Sequence, residues 1–252
     1  MIYRGFASVY DQLMSEAPYG QWRDYLQSCM DRYGNGGKRV LDTGCGTGEI
    51  AVLLKEAGFD VTGADLSEEM LSVAHQKAVE KGFSIPFYQM DMRDMSGFSP
   101  LFDGIFICCD SLNYLLTEDD VQAAFRQAFG NLEKNGLLIF DVHSPYKMSN
   151  IFAGATFADA GEEASYIWNC FEGEYPLSVE HELTFFIEEE DGRYERFDEL
   201  HKQRTFTVQQ YKEMLAIEGF SVIAVHADFL KESPLDRAER IFFIAGKKPI
   251  EK

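Results

Sequence analysis

The sequence predicts an α/β protein that combines a doubly wound, mostly parallel sheet with an antiparallel β insertion. Three features of the 252 residues indicate this fold class. A glycine-rich turn joins an early apolar run to a helical pattern, and short apolar runs then alternate with helical patterns as far as residue 142. From about residue 155, apolar and polar residues alternate as they do in half-buried strands. Strands that alternate with helices favour a parallel sheet covered on both faces.

Length and charge limit the possible functions before any motif is considered. The chain is 46% hydrophobic, so it can bury a full core as one large domain, or as one domain with a sizeable insertion. Its formal net charge of −19 repels phosphate backbones and anionic lipid. We therefore expect no nucleic-acid partner, no membrane partner, and a small neutral or cationic substrate.

The cysteines fit a reduced, cytoplasmic protein. There are five of them, an odd number without a CxxC pair, and the N-terminus does not resemble a signal peptide. Neither the cysteines nor the histidines have metal-ligand spacing, so no metal site is expected.

The chain before the first predicted strand is helical in pattern and rich in aromatic residues. Apolar residues recur at helical spacing over 6–14 and over 22–30, on either side of a break at Pro18 and Gly20. We predict two short helices in a lid, residues 1–36, that covers one end of the core.

The sheet begins with a strand, a glycine turn and a helix. The apolar run 39–41 stops at Asp42, and helical spacing then covers 50–57. Between them stand three glycines at alternate positions, where a missing Cβ lets the backbone turn sharply and lie against a ligand: Gly44, Gly46 and Gly48. A second apolar run, 59–64, ends at Asp65. This is half of a nucleotide-binding βαβ unit, with an acid where such units bond a ribose hydroxyl.

The carboxylate of Asp42 indicates which ligand the turn would accept. A glycine turn can bind pyrophosphate at a helix N-terminus, and it also occurs as a tight turn in α/β proteins without any ligand. Asp42 would oppose a pyrophosphate but attract an ammonium or sulfonium group. The expected ligand is therefore a nucleoside that carries a cationic or zwitterionic tail.

The next two predicted strands also end on acids. After a helix predicted over 67–82, the apolar run 85–90 ends at Asp91, and the run 102–109 ends at Asp110. In an open α/β sheet the ligand crevice lies outside the carboxyl ends of the strands. We therefore expect the acids that follow these strands to share one site.

A fifth strand brings a histidine to the same edge. It is predicted over 137–142, after a capped helix at 117–136, and His143 follows it directly. Since an imidazole titrates near neutrality, His143 could act as a general base or contact the substrate. It could equally cap the helix predicted to follow Pro145. The other histidines lie in periodic segments and are expected on element faces: His75, His181, His201 and His226.

An inserted antiparallel subdomain is predicted at residues 153–204. Alternating patterns lead to the pair Asp191-Gly192, a strong hairpin signal, and resume over 194–206. Because the insertion follows the fifth strand, it would stand over the crevice as the roof of a substrate pocket. The chain then ends in elements of the main sheet, with a helix predicted over 207–217 and strands over 220–229 and 238–246.

Four segments resemble the motifs of class I S-adenosylmethionine-dependent methyltransferases: LDTGCGTG, GADLSEEML, YQMDMRD and SLNYL. The similarity runs from about residue 40 to residue 142 and is strongest to the small-molecule N- and O-methyltransferases, including those that act on amino sugars. It implies a Rossmann-like, seven-stranded sheet with a C-terminal antiparallel strand pair, formed by residues 37–152 and 205–252. It also implies S-adenosylmethionine (SAM) as the cofactor.

The resemblance assigns roles to individual residues. Asp65 would bind the ribose hydroxyls, and Leu66 would pack on the adenine. Asp91 would bond the adenine amino group, and Met92 would flank the ring. The glycine turn would hold the methionyl part of the cofactor, with Tyr10 near its methyl group. The full implied set of cofactor-binding residues is Tyr10, Asp42, Gly44, Cys45, Gly46, Asp65, Leu66, Asp91, Met92, Cys109 and Asp110.

We therefore predict methyl transfer to a nitrogen or oxygen of a small molecule by in-line displacement. The sulfonium is already an excellent leaving group, so alignment and exclusion of water would suffice. Tyr10, His143 or solvent would take up the proton of an amine. Two alternatives stay open: an NAD-dependent oxidoreductase that uses the same glycine turn, and a SAM-binding protein without catalysis. A homodimer is also open, because the inserted region sets substrate choice or dimer contacts in the resembling family.

Overall fold

The helices and strands alternate along the first half of the chain. In the computed structural model, which describes residues 10–11, 14, 17–161, 164–188, 191–230 and 235–247, the α-helices are α1 (Tyr19–Tyr33), α2 (Glu49–Glu56), α3 (Glu68–Glu80), α4 (Glu118–Asn131) and α5 (Val208–Ile217). The strands are β1 (Arg39–Thr43), β2 (Asp60–Asp65), β3 (Phe87–Gln89), β4 (Phe102–Ile107), β5 (Leu132–His143), β6 (Thr156–Ala160), β7 (Ala164–Glu172), β8 (Ser178–Glu188), β9 (Tyr194–Arg204), β10 (Phe220–Ala227) and β11 (Arg240–Lys247). A 3₁₀ turn, Ser111–Tyr114, follows β4, and a π-helix, Lys147–Phe152, follows β5.

The main sheet positions the crevice. Within the described residues it has seven strands in the order β10-β11-β5-β4-β1-β2-β3. Strands β1 to β5 run parallel to one another, and β11 lies antiparallel between β5 and β10. The predicted fold class is confirmed. The parallel order also brings the carboxyl ends of β1 to β5 to one edge of the sheet.

Strands β3 and β5 differ clearly in length from the predicted ones. β3 pairs with β2 only from Phe87, because Pro86 has no N–H to donate to the ladder. β5 begins at Leu132 instead of 137. Leu132 pairs with Phe102 and Leu137 with Gly104, so the register shifts there and residues 133–136 form an irregularity within the strand.

Helices cover both faces of the sheet, so the parallel strands are buried as the apolar runs predict. α4 and α5 pack on one face around Phe125, Phe140 and Tyr211. α1 and α2 pack on the other around Leu26 and Leu54. The helices α3, α4 and α5 begin at side-chain caps, since each of three residues accepts a hydrogen bond from a backbone N–H three residues later: Ser67, Thr117 and Thr207.

The insertion after β5 is a second, antiparallel sheet. Its described strands are ordered β6-β7-β8-β9, which confirms the predicted antiparallel insertion and adds β6, a strand that the sequence pattern had not shown. Its core joins the π-helix through Phe152, Cys170 and Val179. The predicted hairpin is confirmed, since β8 and β9 pair antiparallel up to Glu188 and Tyr194, with Asp191 and Gly192 between them. The predicted helix over 6–14 lies largely outside the described residues. Within the described ranges, no helix has the length and apolar character to cross a membrane.

The aromatic core of the main sheet gives a stability prediction. Phe140 is fully buried and stacks on Phe243, with ring centroids 4.8 Å apart. We expect Phe140→Ala to lower the free energy of unfolding by about 3–5 kcal/mol, because it loses this contact and leaves a cavity. Ile217→Ala, at a side chain that is 67% exposed, is the control and should cost less than about 0.5 kcal/mol. Urea denaturation measures both, and an equal effect of the two substitutions would contradict this account of the core.

Candidate functional site

A cavity lies at the carboxyl ends of the parallel strands. Its volume is about 700 Å³, within the range of small-molecule sites. The structure brings all the predicted cofactor-binding residues into its wall: Tyr10, Asp42, Gly44, Cys45, Gly46, Asp65, Leu66, Asp91, Met92, Cys109 and Asp110. Their individual contacts with a cofactor stay predictions.

The glycine turn leaves backbone open to the cavity. Gly44 has a φ of +71°, and a Cβ there would lie 2.7 Å from the Cβ of Ser111, so a side chain does not fit. The N–H groups of Gly44 and Cys45 both donate to the carbonyl of Ala64, at 2.7 and 3.0 Å, which ties the turn to β2. Gly46 has a φ of +52° and no atom within 4 Å of an added Cβ. A ligand can therefore lie directly against the turn.

Asp65 braces the same turn from the end of β2. Its Oδ2 accepts a hydrogen bond from the N–H of Gly46 at 2.8 Å, and its Oδ1 accepts one from the N–H of Ser67 at 2.9 Å. Each carboxylate oxygen can accept a further bond, so Asp65 can hold the turn and still bind a hydroxyl group in the cavity.

Asp42 is the acid with the most unusual environment. Only 1% of the residue is exposed, and its Oδ2 has no hydrogen-bond partner within the described structure. Burial and the charge of Asp65 raise the pKa of Asp42 to about 7, although a backbone hydrogen bond from Ala51 opposes the rise. A buried carboxylate oxygen without a donor, in a cavity wall, suits a cationic ligand group.

Tyr10 is held at the cavity by its neighbour in sequence. Asp11 forms an ion pair with Lys77 at 2.8 Å and accepts a hydrogen bond from the hydroxyl of Thr47 at 2.5 Å. Burial raises the pKa of the Tyr10 phenol well above its ordinary value. Tyr10 is therefore protonated at neutral pH and can donate a hydrogen bond, but it is not poised to accept a proton.

Asp91 is paired with a cation from its own loop. Both of its carboxylate oxygens are contacted by Arg93, which also reaches Asp120 at 2.8 Å. These hydrogen bonds lower the pKa of Asp91, so the carboxylate is ionised and fixed in orientation. Leu66, 66% exposed at the same end of the cavity, offers an apolar surface for a flat ring.

A buried ion cluster, which we call the Arg240 cluster, lies behind the opposite end of the cavity. Arg240 bonds the carboxylate of Asp141 and, at 2.8 Å, that of Asp110. The indole of Trp22 donates to Asp141 at 2.8 Å, and the N–H groups of Cys109 and Asp110 donate to it at 3.0 and 3.1 Å. Burial alone would raise the pKa of Asp110, but the hydrogen bond from His143 and the positive charge of Arg240 hold it well below its usual range. Asp110 is therefore an ionised, oriented carboxylate in the cavity wall.

His143 has a different place from the one expected of a base. It is buried, it is not among the described residues of the cavity wall, and its Nε2 lies 3.3 Å from Oδ2 of Asp110. Burial lowers the pKa of the ring, so His143 is neutral and its Nε2–H faces the Asp110 carboxylate. Helix capping is done by its neighbour instead, since the N–H of Lys147 donates to the hydroxyl of Ser144 at 2.9 Å. The geometry favours a positioning role for His143, through Asp110.

Several cavity residues escaped the sequence analysis. Tyr19, Tyr175 and His201 line the wall, and His201 bonds the hydroxyl of Tyr114 through Nδ1 at 3.0 Å. His201 had been expected only on an element face. The Arg240 cluster did leave a signal, because Asp141 interrupts the apolar run of β5 and a buried charge in such a run requires a partner.

The comparisons with known proteins identify the family. Residues 40–136 match the family model of a methyltransferase domain. A protein of Geobacillus sp. (strain WCH70), provisionally named a methyltransferase, is 51% identical over 248 residues, which are 98% of this chain and 100% of that protein. The chain belongs to the methyltransferase family.

Two further similarities refine the class of this methyltransferase. A glycine/sarcosine N-methyltransferase of Halorhodospira halochloris is 30% identical over 202 residues, 77% of this chain and 69% of that enzyme. The crystal structure of an S-adenosylmethionine-dependent methyltransferase from Clostridium acetobutylicum ATCC 824 matches with a TM-score of 0.87 at 26% identity, over 98% of this chain and 99% of that one. The predicted class I methyltransferase, an enzyme with SAM as its cofactor, is confirmed.

The Arg240 cluster of the methyltransferase gives a second stability prediction. We expect Asp141→Asn to lower the free energy of unfolding by about 3–5 kcal/mol, because it removes one partner of a buried guanidinium. Asp198→Asn makes the same change in an exposed ion pair with Arg196 and should leave stability almost unchanged. Chemical denaturation of both variants is the measurement. A small effect at Asp141 would show that the cluster does not hold the structure together.

Proposed function

We propose that the methyltransferase transfers a methyl group from SAM to a nitrogen or oxygen of a small molecule, and that its preferred acceptor is an amine. The observation that carries the binding of SAM is the pair Asp42 and Asp65. Within the described residues no lysine or arginine forms an ion pair with either acid, although both lie in the cavity wall. Uncompensated negative charge at a buried site favours a ligand that brings its own positive charge.

The residues present fit the cofactor. Asp42 would hold its cationic tail, the open backbone at Gly44 and Gly46 would lie against it, and Asp65 would bind the ribose hydroxyls. At the other end of the cavity Leu66 would pack on the adenine, with Asp91 at its amino group. When bound, SAM supplies a methyl group on a sulfonium leaving group.

The remaining chemistry is alignment. The new bond would join a lone pair of the neutral acceptor atom to the methyl carbon as the carbon–sulfur bond breaks. An ammonium acceptor would first lose one proton to expose that lone pair, and the methylated nitrogen would lose a second proton afterwards. Holding the two reactants in line within a closed cavity can lower the barrier by about 7–11 kcal/mol, so no strong base is needed. Of the proton acceptors considered, Tyr10 is protonated and His143 lies outside the cavity wall, which leaves water.

The charge of the site favours an amine over other acceptors. Asp110 is ionised in the cavity wall, and the whole chain carries a net charge of −19. An anionic acceptor would be repelled from this site, whereas an ammonium group would be drawn to it before it loses its proton. The similarity to a glycine/sarcosine N-methyltransferase supports the same choice.

Further parts of the chain complete the proposal. The part of the chain that carries Tyr10 and Tyr19 would cover the cofactor, while the rest of α1 stays packed on the sheet. The inserted sheet, residues 153–204, would cover the acceptor, and it contributes Tyr175 and His201 to the cavity wall. The five cysteines lie within the described residues and form no disulfide, which supports a location in a reducing cytoplasm.

The raised pKa of Asp42 predicts proton-linked binding. A cation binds the ionised carboxylate, and near pH 6 most of the free protein has Asp42 protonated, since its pKa is about 7. Affinity for SAM should therefore rise about tenfold between pH 6 and pH 8, with proton release on binding. Isothermal titration calorimetry in two buffers measures both. Asp42→Asn should abolish the dependence, and Asp60→Asn, at an exposed acid of β2, should not.

Turnover tests the acceptor class. Formation of S-adenosylhomocysteine from SAM is measured with matched panels of small primary amines, alcohols and carboxylates. We expect turnover with amines at least tenfold above that with the others. Turnover only with alcohols or carboxylates would contradict the amine preference, binding of SAM without turnover in any panel would indicate a binding protein, and binding of NADH in place of SAM would indicate an oxidoreductase.

A further inference from the structure

A chain of hydrogen bonds runs from the inserted sheet to the cavity, and we call it the Gln203 relay. The indole nitrogen of Trp168, in β7, lies 2.9 Å from Nδ1 of His181, in β8. Nε2 of His181 lies 3.3 Å from Oε1 of Gln203, in β9. The amide nitrogen of Gln203 lies 3.2 Å from Oδ2 of Asp110. Each strand from β7 to β9 thus supplies one member, and the relay ends on a carboxylate of the cavity wall.

The donors along the relay can be arranged in only one way. An indole N–H can only donate, so Nδ1 of His181 must accept. Burial lowers the pKa of His181 to about 4, so at neutral pH the ring has one proton, which must be on Nε2. Nε2–H then donates to the Gln203 carbonyl, and the amide N–H₂ of Gln203 is left to donate to Asp110.

The relay acts on a residue whose orientation needs support. Cys109 and Asp110 both have left-handed backbone conformations, with φ of 54° and 56°, which are strained for residues other than glycine. The Asp110 carboxylate is held by Arg240 at Oδ1 and by His143 and Gln203 at Oδ2. Arg240 and His143 belong to the main sheet, and only Gln203 comes from the insertion.

We propose that Gln203 is a positioning residue, which aims the Asp110 carboxylate into the cavity and couples the inserted sheet to binding there, with His181 fixing its amide. The coupling rests on the proposed function, in which Asp110 faces the positive groups that enter the cavity. Trp168, at the far end, is not among the described residues of the cavity wall. A ligand that polarises the Asp110 carboxylate would therefore alter the hydrogen bond of the Trp168 indole N–H, through Gln203 and His181.

The histidine tautomer tests the relay without any ligand. Nitrogen NMR of the unliganded protein at neutral pH, with the His181 signals assigned from a His181→Asn variant, distinguishes protonation at Nε2 from protonation at Nδ1. We expect neutral His181 with its proton on Nε2. A proton on Nδ1, or a doubly protonated ring, would overturn the proposal because the ring could not then accept from Trp168.

The tryptophan signals test the coupling. The chain has two tryptophans, so a proton–nitrogen correlation spectrum has two indole peaks, which a Trp22→Phe variant assigns. We expect SAM to shift the Trp168 peak in the unsubstituted protein, and Gln203→Met, which keeps the side-chain length but removes its hydrogen bonds, to abolish that shift. The same variant should bind SAM about tenfold more weakly, because the Asp110 carboxylate loses the hydrogen bond that aims it into the cavity.

Controls separate the possible failures. Gln209→Met makes the same change at an exposed position of α5 and should retain both the shift and the affinity. Thermal unfolding shows whether Gln203→Met folds, and a His181→Asn variant, which breaks the relay one step earlier, should also lose the shift. An unchanged shift and affinity in Gln203→Met would overturn this inference alone. Failure of the unsubstituted protein to bind SAM would overturn the proposed function, and this inference with it.

Discussion

The concentration of acids at one edge of the sheet is the constraint on which the site depends. Each of the five parallel strands has an aspartate within three residues of its carboxyl end: Asp42, Asp65, Asp91, Asp110 and Asp141. Like charges placed so close together require compensation. Arg93 compensates Asp91, and Arg240 joins Asp110 to Asp141. Within the described residues no lysine or arginine pairs with Asp42 or Asp65, and we propose that a ligand neutralises these two acids.

The central part of this arrangement could be predicted from the sequence. Parallel strands covered on both faces are continuous apolar runs, so the first charged residue after a run marks the end of the strand. Because the carboxyl ends share an edge of the sheet, the sequence alone predicts that Asp42, Asp65, Asp91 and Asp110 lie close together. Local signals also fixed the helix starts, as at Thr207, where the capping box lies within four residues.

The rest depends on contacts between distant parts of the chain. Trp22 and Asp141 are 119 positions apart in the sequence, and Arg240 and Asp110 are 130 positions apart. A local sequence pattern therefore cannot predict that these residues contact each other. His143 and His201 both follow strand patterns, and only the packing of the inserted sheet shows that His201 faces the cavity while His143 lies behind Asp110. Sequence periodicity predicts on which face of a strand a residue lies, but it does not predict which element or cavity that face contacts.

The most direct test is a crystal structure of the protein with SAM bound. We predict the adenosyl group in the cavity between Asp65 and Leu66, with a positive group of the ligand within hydrogen-bond distance of Oδ2 of Asp42, directly or through one water. An adenosyl group bound elsewhere, or a ligand in the cavity that leaves Oδ2 of Asp42 without a partner, would contradict the claim that the uncompensated acids form the cofactor site.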